Sequence, residues 1–259
     1  PNNRDNVILI YTRQSVDGNQ EYNSGNGWNR EHVWAKSRGD FGTFIGTGSD
    51  AHNLRASNIV VNSTRSNYSF DDCESNCRET FGNYYNGTAL VFEPRDEDKG
   101  DVARIIFYMD VRYDGDNDEE VDLEMTEDIL SKTNKSPKHG IRSTLLRWHE
   151  IDPVDDFEIN RNNIIHKYQG NRNPFIDHPE LVSYIWGDKQ QMQWNSSLST
   201  SRIKFRSNII FPNPAVQNST IELRTNQNPI AIELFNVTGK KINSFSAKEN
   251  KIKAPNVPG

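Results

Sequence analysis

The spacing of apolar residues changes along this chain, and the changes divide it. Residues 7–12 are a short β-branched run between polar flanks, the pattern of a buried strand. Residues 13–29 are polar, hold Gly18, Gly25 and Gly27, and predict a loop. Residues 30–34 (Arg-Glu-His-Val-Trp) predict a short strand, and 51–55 a second extended piece. Between them, 38–50 holds Gly39, Gly42, Gly46 and Gly48, so a flexible loop is expected. Ser57 is suited to cap a helix over 58–67.

Helical spacing then dominates. Val102, Ile105, Ile106 and Met109 recur at i, i+3, i+4 and i+7 within 100–112. Ile141, Leu145 and Trp148 do the same within 141–149. Over 153–168, Asp152 is the expected cap, Pro153 the first helical residue, and Gly170 the stop. Val154, Phe157, Arg161, Ile164 and Tyr168 are expected to line one face of that helix. A last short helix is expected from near Pro179 to Gly187.

Beyond it the pattern changes again. Residues 188–206 are polar, rich in Gln, Ser and Thr, and suit a linker. The period then becomes two: Ile221 and Leu223, then Ile230, Ile232 and Leu234, alternate with polar neighbours. After a turn at Thr238-Gly239-Lys240, 241–246 extends. The expected organisation is α+β: a mainly helical domain over 1–187, a linker over 188–206, and a small all-β, sandwich-like domain over 207–259. No signal peptide precedes the first strand and Val-Pro-Gly closes the chain in mid-element, so both ends are expected to be truncated.

Length and charge sharpen this picture. At 259 residues the chain can bury a core without staples, and no stretch approaches the roughly 20 apolar residues of a membrane helix, so no membrane insertion is expected. The net charge is −6, with −10 concentrated in 72–204 and +4 in 205–259. Bulk charge therefore gives no hold on a polyanion. Within 28–70, five basic residues outnumber three acidic ones, so a basic patch there would be small and local. Cys73 and Cys77 enclose three polar residues, which allows either a tight local disulfide, implying an oxidising compartment, or two thiols.

The densest polar cluster is Arg30, Glu31, His32, Asn53, Arg55, Asn62, Arg65 and Asn67. Glu31 and His32 are adjacent; on a strand their side chains point to opposite faces, unless the strand ends there, where both can serve one site. Asn62, Arg65 and Ser66 share one face of the following helix. A carboxylate and an amide oxygen, with water, suit a hard divalent cation such as Mg²⁺. A neutral His beside them can deprotonate water, and an Arg can hold phosphate oxygens. Together these fit phosphodiester hydrolysis. On residue types alone the set also reads as structural, because Glu-His pairs are common and a single His more often belongs to a core. His52 reads as structural or supporting, and His149 and His166 as structural or exposed. Asp114, Asp116 and Asp118 alternate as in a calcium loop, but Met125 stands at the twelfth position, which favours a solvated acidic loop.

Three strings carry a resemblance: Asn29-Arg30-Glu31-His32-Val33-Trp34, Ser49-Asp50-Ala51-His52-Asn53-Leu54-Arg55 and Val61-Asn62-Ser63-Thr64-Arg65-Ser66-Asn67. With Phe92-Glu93-Pro94, Lys99-Gly100-Asp101-Val102-Ala103-Arg104 and Gly170-Asn171-Arg172-Asn173-Pro174-Phe175, they resemble the bacterial endonuclease I family of secreted or periplasmic ββα-metal nucleases. The resemblance covers about residues 1–187. It implies that Glu31 and Asn62 bind the metal, most simply Mg²⁺ with Ca²⁺ or Mn²⁺ as alternatives. It implies that His32 is the general base and that Arg65 sits by the scissile phosphate. Non-specific cleavage of DNA or RNA to 5′-phosphate ends would follow. Arg30, Arg55 and Arg172 are candidate nucleic-acid contacts, although Arg172 can equally pair with Asp177. Pro is common in the family where Ala35 stands, and family members begin earlier, with a signal peptide and a helical segment.

The strings Asn208-Ile209-Ile210-Phe211-Pro212-Asn213-Pro214 and Ile232-Glu233-Leu234-Phe235-Asn236-Val237-Thr238-Gly239-Lys240 resemble the sorting domain of type IX secretion cargo. That resemblance implies handling by secretion machinery and delivery, through the periplasm, to the outside or the cell surface. A monomer is expected. The competing readings are an inactive extracellular nucleic-acid-binding module and a secreted adhesin; Glu31, His32 and Asn62 together favour the enzyme, because a binder has no need of a base.

Overall fold

The computed structural model describes residues 5–25, 27–116 and 120–194, and the strands of the C-terminal part with Ser219. The chain divides into two compact units, Pro1–Trp194 and Asn195–Gly259. In the first unit, β1 (Asn6–Ile8) pairs antiparallel with β2 (Ser15–Asp17). A hairpin-like pair follows, β3 (Trp28–His32) and β4 (Leu54–Asn58), antiparallel with Glu31 opposite Arg55 and His32 opposite Leu54. The chain turns directly from β4 into α1 (Ile59–Arg65). Asn58, one residue beyond the expected Ser57, is the cap: its side chain accepts from the amides of Val60 at 2.9 Å and Val61 at 3.3 Å.

Four short strands come next: β5 (Ser69–Phe70), β6 (Arg78–Thr80), β7 (Asn83–Asn86) and β8 (Val91–Glu93), in the order β5-β8-β7-β6. Cys73 and Cys77 are bridged in the link between β5 and β6. No periodicity announces this sheet, because strands of two to four residues are too short to show one.

The core is built on α2 (Asp96–Arg112). The helix starts four residues before the expected 100, with Asp96, Glu97 and Asp98 at its positive end. Every residue from 98 to 109 is buried, so this is a central helix rather than an amphipathic surface one. After it come β9 (Glu124–Thr126) and β10 (Lys138–Ile141), paired in parallel, then α3 (Arg142–Ile151).

The next helix, α4 (Asp156–Gln169), corrects the expected cap. Asp155, not Asp152, caps it, in a reciprocal box in which Asp155 accepts from the Glu158 amide and Glu158 accepts from the Asp155 amide. Gly170 ends it in the left-handed region, as expected. Its buried side is Glu158, Asn162 and Ile165, and Tyr168 is 89 % exposed. The rotation arises because Glu158 is drawn inward by Arg104, at 2.6–2.7 Å. Two short helices follow, α5 (Pro174–Asp177) and α6 (Leu181–Ile185). Residues 188–194, within the expected linker, fold back: the Lys189 amide donates to the Ser183 carbonyl and Trp194 lies 5.1 Å from the His178 ring.

In the second unit, β11 (Ile209–Phe211), β12 (Thr220–Arg224) and β15 (Lys251–Lys253) form one antiparallel sheet, with β12 central. A second antiparallel pair joins β13 (Ala231–Phe235) and β14 (Lys241–Ser246). Three of these strands fall where the period-two pattern placed them. The expected linker residues 195–206 and the turn at 238–240 lie outside the described residues, as does Asp118 of the acidic loop. Among the described residues no helix is long and apolar enough to cross a membrane.

Candidate active site

The turn from β4 into α1 lays the helix against β3, and a cleft of about 620 Å³ opens there, lined in part by Arg30, Glu31, His32, Asn62 and Arg65. Glu31 faces inward from β3. Its Oε1 accepts from the Tyr11 hydroxyl at 2.8 Å and lies 3.3 Å from Arg65 Nε. Oε2 has no partner among the described residues. Burial pushes the Glu31 carboxyl up, while Arg65 and the Tyr11 hydrogen bond pull it down. Burial and the charge of Glu31 hold Tyr11 firmly protonated, so it stays a donor.

His32 ends β3. Strand alternation would turn it away from Glu31, but at the terminus the ring reaches the 38–50 loop, and its Nε2 lies 2.9 Å from the Gly48 carbonyl. Only a protonated Nε2 can meet a carbonyl, so the neutral ring leaves Nδ1 as a free acceptor. Burial, with the charges of Lys36, Arg65 and Arg30, lowers the His32 pKa below the ordinary value.

Asn62 projects from α1. Its Nδ2 donates to Asn29 Oδ1 at 2.8 Å and to the Arg30 carbonyl at 3.3 Å. The amide is thereby oriented, and its Oδ1 is left without a hydrogen-bond partner among the described residues. The unpartnered carboxylate oxygen of Glu31 and this amide oxygen line the same cleft, a donor set that fits a hard divalent cation.

Residues 2–180 match the sequence model of the family described as Endonuclease I. The chain belongs to the endonuclease I family. Residues 209–257 match the family described as a secretion system C-terminal sorting domain. The "Extracellular ribonuclease" of Bacillus subtilis (strain 168) is 52 % identical over 187 residues, covering 72 % of this chain and 63 % of the relative. Its namesake in Bacillus amyloliquefaciens is 50 % identical over the same shares. The "Endonuclease-1" of Buchnera aphidicola subsp. Baizongia pistaciae (strain Bp) is 28 % identical over 134 residues, covering 49 % of this chain and 45 % of the relative. The chain thus spans 63 % of the length of the two ribonucleases.

Within this endonuclease I chain the arginines divide. Arg65 lines the cleft floor, yet it is only 1 % exposed. Its guanidinium donates to the carbonyls of His32, Val33 and Ser66, meets His139 Nε2 at 2.9 Å, and lies over Phe70 at 4.5 Å. Arg30 is 65 % exposed and paired with Glu21 at 2.7 Å. Arg55 and Arg172, the other two candidate nucleic-acid contacts, do not line this cleft. Arg55 is buried and paired with Asp101 at 3.2 Å. Arg172 is held in a fork by both oxygens of Asp177, each at 2.6 Å.

Asp101, Asp155 and Glu158 are close enough together to suit a cation. Arg13, Arg55 and Arg104 already compensate them, which makes the group an ion-pair network joining β4, α2 and α4. His52 is buried with its ring 4.5 Å from that of Tyr108. His149 meets the Pro179 carbonyl and His166 is exposed on α4.

Residue types alone missed Tyr11, Arg38, His139, Lys36 and Lys132. Lys36 and Lys132 line the cleft without a carboxylate partner among the described residues, and Lys132 Nζ sits 4.6 Å above the Tyr68 ring. Arg38 is buried and donates to the carbonyls of Asn67, Leu130, Ser131 and Asn134, fixing the loop that carries Lys132. No spacing signals such contacts, since the partners are backbone groups up to 96 residues away.

Proposed function

We propose that this chain is a secreted nuclease that hydrolyses phosphodiester bonds with the aid of a divalent cation. The observation that carries the reading is the bond between His32 Nε2 and the Gly48 carbonyl, which leaves Nδ1 free as a base beside two unpartnered oxygens. His32 takes a proton from the attacking water at Nδ1. Glu31 and Asn62 would hold Mg²⁺, or Ca²⁺ or Mn²⁺ in its place. When bound, the cation offsets charge on the phosphoryl group and on the leaving 3′ oxygen. Arg65 and Tyr11 keep Glu31 ionised and aimed. Lys36 and Lys132, with Arg30, contact the phosphates of the strand from the cleft rim. Such contacts carry no base information, so cleavage is non-specific; the bond from phosphorus to the 3′ oxygen breaks as water adds, which leaves a 3′ hydroxyl and a 5′ phosphate. The substrates are RNA, DNA or both, in keeping with the names of the relatives. The match over 209–257 supports export by secretion machinery to the exterior or the cell surface.

The test is incubation with plasmid DNA and with RNA, in Mg²⁺ and in EDTA. Cleavage is expected only with the cation, and His32→Ala should reduce it by roughly 10²–10⁴-fold, the ordinary worth of a general base. Undiminished cleavage in EDTA, or a fully active variant, would overturn the reading.

A further inference from the structure

The loop that holds His32 also carries an unexplained pair of side chains. Phe44 is 82 % exposed and its neighbour Ile45 is 100 % exposed. The loop is pinched beneath them: a Cβ on Gly48 would lie 2.9 Å from both the Gly42 carbonyl oxygen and Thr43 Cα. Gly42 and Gly46 adopt positive φ, of 64° and 99°, and the Ser49 amide closes on the Gly46 carbonyl at 3.0 Å. Either side of the tip is anchored. Phe41 packs on the core with its ring 6.5 Å from that of His32, and Thr47 is buried. The tip is therefore held out by its own stem, and the two apolar side chains do nothing for the core.

Their position supplies a partner. Thr43, immediately before Phe44, lines the catalytic cleft together with Lys36 and Lys132. On the nuclease reading, a strand whose phosphates lie along those lysines would run past Thr43, and Phe44 is the next residue. Aromatic faces stack on every nucleobase, but only on one that is free of its own partner. We infer that Phe44 and Ile45 form a platform for an unpaired base next to the cleavage point, so that single-stranded nucleic acid, or the loops and ends of folded RNA, is the preferred substrate. This rests on the nuclease reading for the placement of the strand, but its binding step does not depend on turnover.

The test compares the full chain with a Phe44→Ser, Ile45→Ser variant. Both side chains are solvent-exposed, so circular dichroism and thermal unfolding should be unchanged. In EDTA, a single-stranded oligonucleotide carrying 2-aminopurine should bind the parent with quenched fluorescence. The variant should bind about tenfold more weakly, on the scale of one base–aromatic stack, and without quenching. In Mg²⁺, the parent should favour this oligonucleotide over an abasic strand of equal length by a similar factor. The variant should lose the preference while cutting the abasic strand at the parent's rate. Equal binding and quenching by the two proteins would overturn the platform. Base-dependent quenching with no cleavage by the parent would uphold the platform and sink the nuclease reading. A parent that sediments as a dimer and a variant that sediments as a monomer would make the tip a self-association contact instead, and would overturn the proposal.

Discussion

Arg65 shows why a residue's role is harder to read than its presence. Its spacing after Asn62 puts it beside the site, and beside the site it is. Its surroundings then decide what it does: with its donors taken by three carbonyls and His139, it acts chiefly on Glu31. Arg65→Lys keeps the charge and loses the planar fork. The buried carbonyls of Val33 and His32 would be left short of donors, at about 1–3 kcal/mol. We expect the variant to unfold at lower denaturant with an unchanged slope. An unchanged midpoint with a raised KM would show a phosphate clamp instead. Glu31, His32 and Asn62 were legible because they lie within one strand–loop–strand–helix unit. Tyr11 and His139 were not, because their contacts with Glu31 and Arg65 span 20 and 74 residues.

At the scale of elements, α1 is the critical piece. It has only seven residues, too few to persist without help, and it carries both Asn62 and Arg65. Asn58 supplies that help at its N-terminus. Asn58→Ala should cost about 1 kcal/mol of stability, the usual worth of such a cap. Fraying of the first turn should also raise the Mg²⁺ midpoint of activity, since Asn62 follows within four residues. A variant identical to the parent in both denaturant and Mg²⁺ titrations would mean that packing alone holds the helix. The long helices were legible in outline and wrong in detail where charge intervened. On α4 the apolar stripe pointed one way, and the buried Glu158–Arg104 pair turned the helix another. The four-stranded sheet was not anticipated at all, for its order is set by pairing between strands too short to carry a pattern.

The first compact unit answers to pH as a whole. Burial lowers His52 and His149 to about 4 and His139 well below its ordinary value. Each stays neutral when folded and binds a proton when unfolded below about 6.5. Each therefore contributes stability that is lost as pH falls from about 6.5 towards the folded pKa. A buried carboxyl pulls the other way. Asp110, raised to about 6 chiefly by burial, holds a proton that the unfolded chain releases. Its contribution is present at low pH and lost as pH rises through that value. The net slope is a difference of opposing terms, so a single variant is the cleaner probe. His149→Gln should narrow its stability gap to the parent, in the parent's disfavour, as pH falls from about 6.5 to about 4, by up to about 1.4 kcal/mol per unit. Urea unfolding at several pH values reads this directly, and a gap independent of pH would place His149 in water-like surroundings. The period changes from 3.6 to 2 along the sequence, and the structure divides after Trp194. Lys189 and Trp194 stay with the first unit through contacts that polarity does not announce.

The carbonyl of Gly48 is the only tether on the His32 ring among the hydrogen bonds of the described residues, and it belongs to a loop with four glycines. Its glycines have the most backbone freedom to regain on warming, once the anchors at Phe41 and Thr47 give way. The imidazole would then be free to spin while the helices and sheets are still intact. If His32 is the base, turnover is expected to fail on warming through these thirteen residues before the core unfolds. A protein working outside the cell would age by losing aim long before it loses shape.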